Sequence, residues 1–134
     1  MLLSPDDYND DLVRLIEEIS GQDIAACYQC GKCTAGCPVA FAMDLMPNQV
    51  IRLLQLGHYD EALKSPTLWW CASCLTCASR CPKDIDSAQV IEALRTILVR
   101  DGETRVEIAE LPTELLTDAP QQALIGGFRK LVGY

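Results

Sequence analysis

Two cysteine runs constrain this 134-residue chain more than any hydropathy pattern in it. CYQCGKCTAGCP, from Cys27 to Pro38, is followed by CASCLTCASRCP, from Cys71 to Pro82. Both read C-x2-C-x2-C-x3-C-P, each cysteine of the second lies 44 positions after its counterpart, and together they use all eight cysteines. Whatever the fold, it must deliver two equivalent sets of thiols to common centres.

The first residues, MLLSPDD, lack the basic and apolar regions of a secretory signal, so a cytoplasmic location is expected. In a reducing compartment eight thiols point to metal binding in preference to a disulfide framework. Thiolates suit both zinc and iron–sulfur clusters. Zinc sites join two short C-x2-C pairs from separate loops and need neither a third cysteine at x2 nor an x3-C-P after it. Three cysteines in this succession grip three corners of a cube, while the fourth is carried away by a proline turn. The pattern is similar to that of bacterial-type ferredoxins with two 4Fe–4S clusters, in which the fourth cysteine of each run serves the other cluster. The expected sets are therefore Cys27, Cys30, Cys33 and Cys81 for cluster 1, and Cys71, Cys74, Cys77 and Cys37 for cluster 2.

The rest of the chain reads as helical. Ser4, Pro5 and Asp7 signal a helix start, and Tyr8, Leu12, Leu15, Ile16 and Ile19 form one face, with Gly21 as the stop and Asp10, Asp11, Glu17 and Glu18 outside. In the first run, Gly31 and Gly36 are expected to turn tightly, and Ala25, Ala26, Thr34 and Ala35 to be small enough to wrap a cofactor. Lys32 is expected to be solvated. Pro47 opens a helix bearing Val50, Ile51, Leu53, Leu54 and Leu56, which Gly57 ends. His58 to Lys64 suggests a short helix, with His58 as a surface or capping residue. Trp69 and Trp70 are expected in the core, where they would also shield a cluster from water. Asp86 or Ser87 caps a helix through Val90, Ile91, Leu94, Ile97 and Leu98 up to Gly102.

The repeat extends past the cysteines. QVIEAL from Gln89 echoes QVIRLL from Gln49 at an offset of 40 instead of 44, so the second unit has a shorter linker. The expected organisation is an N-terminal helix over 1–21, a cluster domain of two pseudo-symmetric halves over 22–102, and a C-terminal extension over 103–134. In the extension, Thr113–Leu116 and Gln121–Val132 are helical candidates, the latter weakened by Gly126 and Gly127. The extension either folds back or docks on a partner.

The net charge of −8 becomes about −12 when two clusters, each about −2 with its thiolates, are bound. That excludes nucleic acid as an expected partner and favours basic docking patches. No apolar run approaches the roughly 18–20 residues that span a bilayer.

The helical spacer between the runs resembles the α-helical ferredoxin domain of fumarate reductases and succinate dehydrogenases, which implies an all-α fold. More closely, CYQCGKCTAGCPVAFAMDLMPNQVIRLLQLG and LWWCASCLTCASRCPKDIDSAQVIEALR resemble the C-type iron–sulfur subunits of heterodisulfide reductase. The resemblance covers roughly residues 22–100. It implies an electron-relay protein with two 4Fe–4S clusters, linking two other members of a heterodisulfide reductase complex. One is the A-type subunit, which contains flavin and iron–sulfur clusters; the other is the catalytic B-type subunit, which reduces a disulfide on non-cubane clusters. The chain offers no nucleotide loop and no base beside a free nucleophile, so catalysis is expected of its partners. Two alternatives stand beside this: a ferredoxin-like component of a glycolate, lactate or glycerol-phosphate oxidoreductase, and a zinc-stapled structural adaptor.

Overall fold

The computed structural model describes residues 10–133. Ser4, Pro5, Asp7 and Tyr8 of the expected first helix lie outside the described residues. Among the described residues all regular structure is helical, and the fold is all-α. No helix there is long and apolar enough to cross a membrane. The chain divides into two compact units, one running to Leu94 and the other starting at Arg95.

The first unit opens with α1 (Asp10–Ser20). It ends at Gly21, whose φ of 67° turns the chain out of the helix while its N–H still reaches Glu17 O at 2.8 Å. Ile16 is fully buried, but Leu15 is 39% exposed, so the apolar face is narrower than its periodicity suggests. Glu17 also departs from its expected outer position. Its Oε1 accepts from Ile24 N–H at 3.0 Å and ties the helix to the 3₁₀ turn at Ile24–Ala26.

Then the repeat becomes geometry. Helices α2 (Lys32–Ala35) and α3 (Pro47–Gln55) make the first half, and α4 (Tyr59–Lys64) and α5 (Thr67–Trp70) lead to the second. There α6 (Thr76–Arg80) starts 44 residues after α2, and α7 (Ser87–Arg100) starts 40 after α3. Pro47 sits at the first position of α3, where its missing N–H costs nothing. Gly57, at φ 79°, closes that helix: His58 N–H bonds Leu53 O at 2.9 Å and Gly57 N–H bonds Leu54 O at 3.2 Å. Asp86 caps α7, its Oδ1 accepting from Ala88 N–H at 2.8 Å and Gln89 N–H at 3.2 Å.

The short helices α2 and α6 pack on each other. Their equivalent positions Gly36 and Arg80, 44 apart, meet, and a Cβ on Gly36 would lie 2.4 Å from Arg80 Cδ. Contact between equivalent positions is the mark of a local two-fold axis. Gly36, at φ −99°, is therefore needed for closeness and not for an unusual backbone angle. Gly31, by contrast, does adopt φ 74°.

The core of this unit joins Ile16, Ile24, Val50, Ile51, Leu54, Leu68, Val90, Ile91 and Leu94, each no more than 2% exposed. Each such side chain contributes roughly 1.5–3 kcal/mol relative to exposure. The tryptophans do not join it. Trp70 is 54% exposed and Trp69 is half-buried, because α5 is a single turn whose inward positions are taken by Thr67 and Leu68. His58 is at the N-cap of α4 without a capping bond from its side chain, and its buried Nε2 has no hydrogen-bond partner among the described residues.

The second unit comprises the end of α7, then α8 (Thr113–Asp118) and α9 (Gln121–Leu131). Gly102, at φ 90°, repeats the glycine closure: Glu103 N–H bonds Leu98 O at 3.0 Å and Gly102 N–H bonds Val99 O at 3.1 Å. The end of α9 is tied back by Arg105 N–H to Leu131 O at 2.7 Å, and α9 continues through Gly126 and Gly127. Leu115, Leu116 and Ile125 of this unit are exposed.

Candidate cluster-binding site

Both runs use the same local device. After the first cysteine the chain takes up positive φ twice, at Gln29 (61°) and Gly31 (74°), and 44 residues on at Ser73 (51°) and Leu75 (60°). These left-handed residues coil the backbone so that the second of each pair, Gly31 or Leu75, is the N-cap of a one-turn helix. The helices carry the third cysteines, Cys33 and Cys77, and the fourth follow the contact between Gly36 and Arg80. Left-handed backbone costs an L-residue about 1–2 kcal/mol. Only Gly31 avoids that cost, and the other three are not legible from the sequence.

Cys37, Cys71, Cys74 and Cys77 line one narrow cavity of about 20 Å³, whose other walls are mostly apolar and include Val39, Met43, Pro47, Leu75 and Ile91. Cys81 lies with the other run: burial first, then the neighbouring Cys33, Cys81 and Cys30, push the Cys27 thiol up. Thus Cys37 shares a cavity with the first three cysteines of the second run, and Cys81 is near enough to Cys27 to act on its charge. None of the eight is in a disulfide. Among the described residues, no three His, Cys, Asp or Glu side chains converge closely enough for a single ion. Four sulfurs around an apolar space suit a cube with iron at its corners, the donor set of 4Fe–4S sites.

The surroundings of the sulfurs differ. Cys30 and Cys74 are exposed. The Lys32 backbone N–H, helped by the Tyr28 hydroxyl and the Lys32 charge, lowers the Cys30 thiol, while the Thr76 hydroxyl and N–H lower Cys74. Burial, with the Asp86 carboxylate beside it, pushes Cys77 up to about 11. The Cys77 thiol donates to Asp86 Oδ1 at 3.8 Å. Cys37 Sγ lies 4.0 Å from Met43 Sδ.

Several contributors are not evident in the sequence. Gln29 Nε2 donates to Cys27 Sγ at 3.4 Å, and Asn48 Nδ2 donates to Gln29 Oε1 at 3.4 Å. Thr34, expected to be merely small, hydrogen-bonds Asn48 Oδ1 and accepts from Asn48 N–H at 3.4 Å. Gln55 Nε2 holds the start of the run through Ile24 O at 2.9 Å and Cys27 O at 2.8 Å. Asn48 and Gln55 are signalled only as polar residues on α3 beside its apolar positions.

Residues 23–85 match the family described as "4Fe-4S dicluster domain". Two 4Fe–4S clusters are accordingly the cofactors of this chain. The chain is 36% identical over 104 residues to the C-type iron–sulfur subunit of the CoB–CoM heterodisulfide reductase of Methanopyrus kandleri, covering 75% of this chain and 54% of that protein. It is 39% identical over 88 residues to the second such C-type protein of Methanocaldococcus jannaschii, covering 63% and 47%. To the C-type component of the ferredoxin:CoB–CoM heterodisulfide reductase of Methanosarcina mazei it is 31% identical over 109 residues, covering 79% and 66%. The chain spans about half the length of the first two of these relatives.

Proposed function

Because its cysteine-bearing part belongs to the family of C-type heterodisulfide reductase subunits, we propose that this chain relays electrons within a heterodisulfide-reductase-type complex. It would receive them from an A-type partner containing flavin and iron–sulfur clusters and deliver them to a catalytic, disulfide-reducing B-type partner, in the cytoplasm. When bound, the clusters supply one-electron storage. Cys27, Cys30, Cys33 and Cys81 would hold one, and Cys71, Cys74, Cys77 and Cys37 the other.

The observation that supports this reading is the cavity that Cys37 lines with Cys71, Cys74 and Cys77, which fits two crossed four-thiol sets using all eight cysteines. The chain's own residues bind, orient and insulate. Met43, Pro47, Ile91 and the other apolar walls exclude water from the second site. The exposed Cys30 and Cys74 give each site a short route to the surface. Residues 22–102 would form the relay, and residues 103–134 would dock a partner, which the exposed Leu115, Leu116 and Ile125 support.

Anaerobic purification under native conditions tests the proposal. Recovery with a flavoprotein and a disulfide-reducing protein is expected, with about eight iron and eight acid-labile sulfide per chain. Recovery with a glycolate, lactate or glycerol-phosphate oxidoreductase instead would move the relay to another complex. Stoichiometric zinc without sulfide would refute it.

A further inference from the structure

The hydrogen bonds behind the first run have a fixed direction. Asn48 N–H, a backbone donor that cannot rotate, points at Thr34 Oγ1 (3.4 Å). That leaves the Thr34 hydroxyl proton for Asn48 Oδ1. With its oxygen so engaged, Asn48 must turn its amide nitrogen to Gln29 Oε1 (3.4 Å). Gln29 then has only its own nitrogen to offer Cys27 Sγ (3.4 Å). Every member of the chain is set by the one before it, and the last is an N–H aimed at sulfur.

The second half cannot repeat this chain. The residue 44 after Thr34 is Ala78, and the residue 40 after Asn48 is Ala88. Backbone N–H groups of Thr76 and Ala88 reach its Cys74 and Cys77, as those of Gln29 and Lys32 reach Cys27 and Cys30 in the first half. What it has in place of the side-chain relay is Asp86, whose Oδ1 stands 3.8 Å from Cys77 Sγ and whose counterpart 40 positions earlier is the uncharged Met46. An N–H aimed at a ligating sulfur favours the more negative, reduced state, whereas a carboxylate beside one disfavours it.

We propose that Gln29, held in one orientation by Asn48 and Thr34, raises the reduction potential of the site of Cys27, Cys30, Cys33 and Cys81 above that of the second site, where Asp86 faces Cys77. An electron supplied by the redox partner through either site then comes to rest on the first. Gln29 is a positioning residue, acting through Cys27 Sγ, and Thr34 and Asn48 act through Gln29. The inference rests on the electron-transfer reading and gives that relay an internal slope.

The test is an anaerobic redox titration of the full-length holo-protein, followed by electron paramagnetic resonance of the reduced clusters. Two waves are expected. Gln29→Met keeps the length of the side chain and removes its donor. It should move the higher wave down by about 59 mV, tenfold in the one-electron equilibrium, and leave the lower wave in place. Thr34→Val should lower the same wave and Thr34→Ser should restore it, which a packing role alone would not produce. Asp86→Asn, which keeps the helix cap, should raise the lower wave. If Gln29→Met does not take up iron, the isosteric Gln29→Glu serves, with the same downward shift expected. The proposal is overturned if Gln29 and Thr34 variants leave the higher wave where it was, or move the lower one. A wild-type chain with two waves that no flavoprotein can reduce would instead sink the relay reading and leave the tuning intact.

Discussion

Asp44 shows what one carboxylate can hold together away from the sulfurs. Its Oδ1 accepts from Ser65 Oγ at 2.8 Å, Thr67 N–H at 3.1 Å and Thr67 Oγ1 at 2.7 Å, fastening the loop before α3 to the start of α5. Burial alone would raise its carboxyl, but the bonds from Thr67 and Ser65 outweigh it and hold it below its ordinary value. Thr67 is fully buried, but its hydroxyl also bonds Leu45 O at 2.9 Å and its N–H also bonds Ser65 Oγ at 3.1 Å, so a neutral acceptor in place of Asp44 weakens this cluster without orphaning it. Asp44 is itself exposed, so Asp44→Asn should cost about 0.5–1 kcal/mol in a denaturant melt near pH 7. The sign of the pH dependence follows from the lowered folded-state value. The advantage of Asp44 is complete above the unfolded carboxyl value and is lost as pH falls through the folded one. Melts of wild type and Asp44→Asn should therefore converge in acid, and a gap that widened there would contradict this account. Cluster loss in acid affects both proteins alike and cancels in the difference.

The one-turn elements of the cysteine runs separate two uses of glycine. Gly31 has φ 74° and open space around a Cβ, so Gly31→Ala should cost about 1 kcal/mol through backbone strain alone. Gly36 has an ordinary φ, and its Cβ would meet the Arg80 side chain. Gly36→Ala should cost a similar amount, about 1 kcal/mol from overpacking. Arg80→Ala should rescue Gly36→Ala and not Gly31→Ala, as a double-mutant cycle of unfolding free energies would measure. The longer elements were legible from the sequence. α3, α4, α7 and α9 lie within a residue or two of where apolar spacing, Pro47, Gly57, Asp86 and Gly102 put them, because those signals act within the helix itself. What was not legible depends on neighbours distant in sequence. Trp70 lost its place in the core to Thr67 and Leu68, Glu17 turned in to Ile24 N–H, and Leu75 took up a left-handed angle that its side chain does not announce. The two cluster-binding runs were legible as a pattern, while the Gln29, Asn48 and Thr34 chain needed α2 and α3 to be placed side by side.

At the scale of the whole molecule, crossed fourth cysteines would couple two halves that the sequence writes one after the other. If Cys37 and Cys81 serve the opposite runs, Cys37→Ser should remove the cluster of Cys71, Cys74 and Cys77 while sparing that of its own run. Iron should fall from about eight to about four per chain. Cys81→Ser should give the same loss with the other cluster missing, distinguishable by which redox wave disappears. Ligand binding that exists only in the folded state is also folding free energy, so removing iron with a chelator under anaerobic conditions should lower the thermal midpoint of the whole first unit. Retention of the full midpoint in the iron-free chain would mean that the helices hold the thiols in place unaided. Each run also leaves its second cysteine, Cys30 or Cys74, at the surface. A passage short enough for an electron to leave by is equally open to dioxygen, so the two halves should bleach in air from these positions first, and a partner seated over them would serve as a seal as well as a contact.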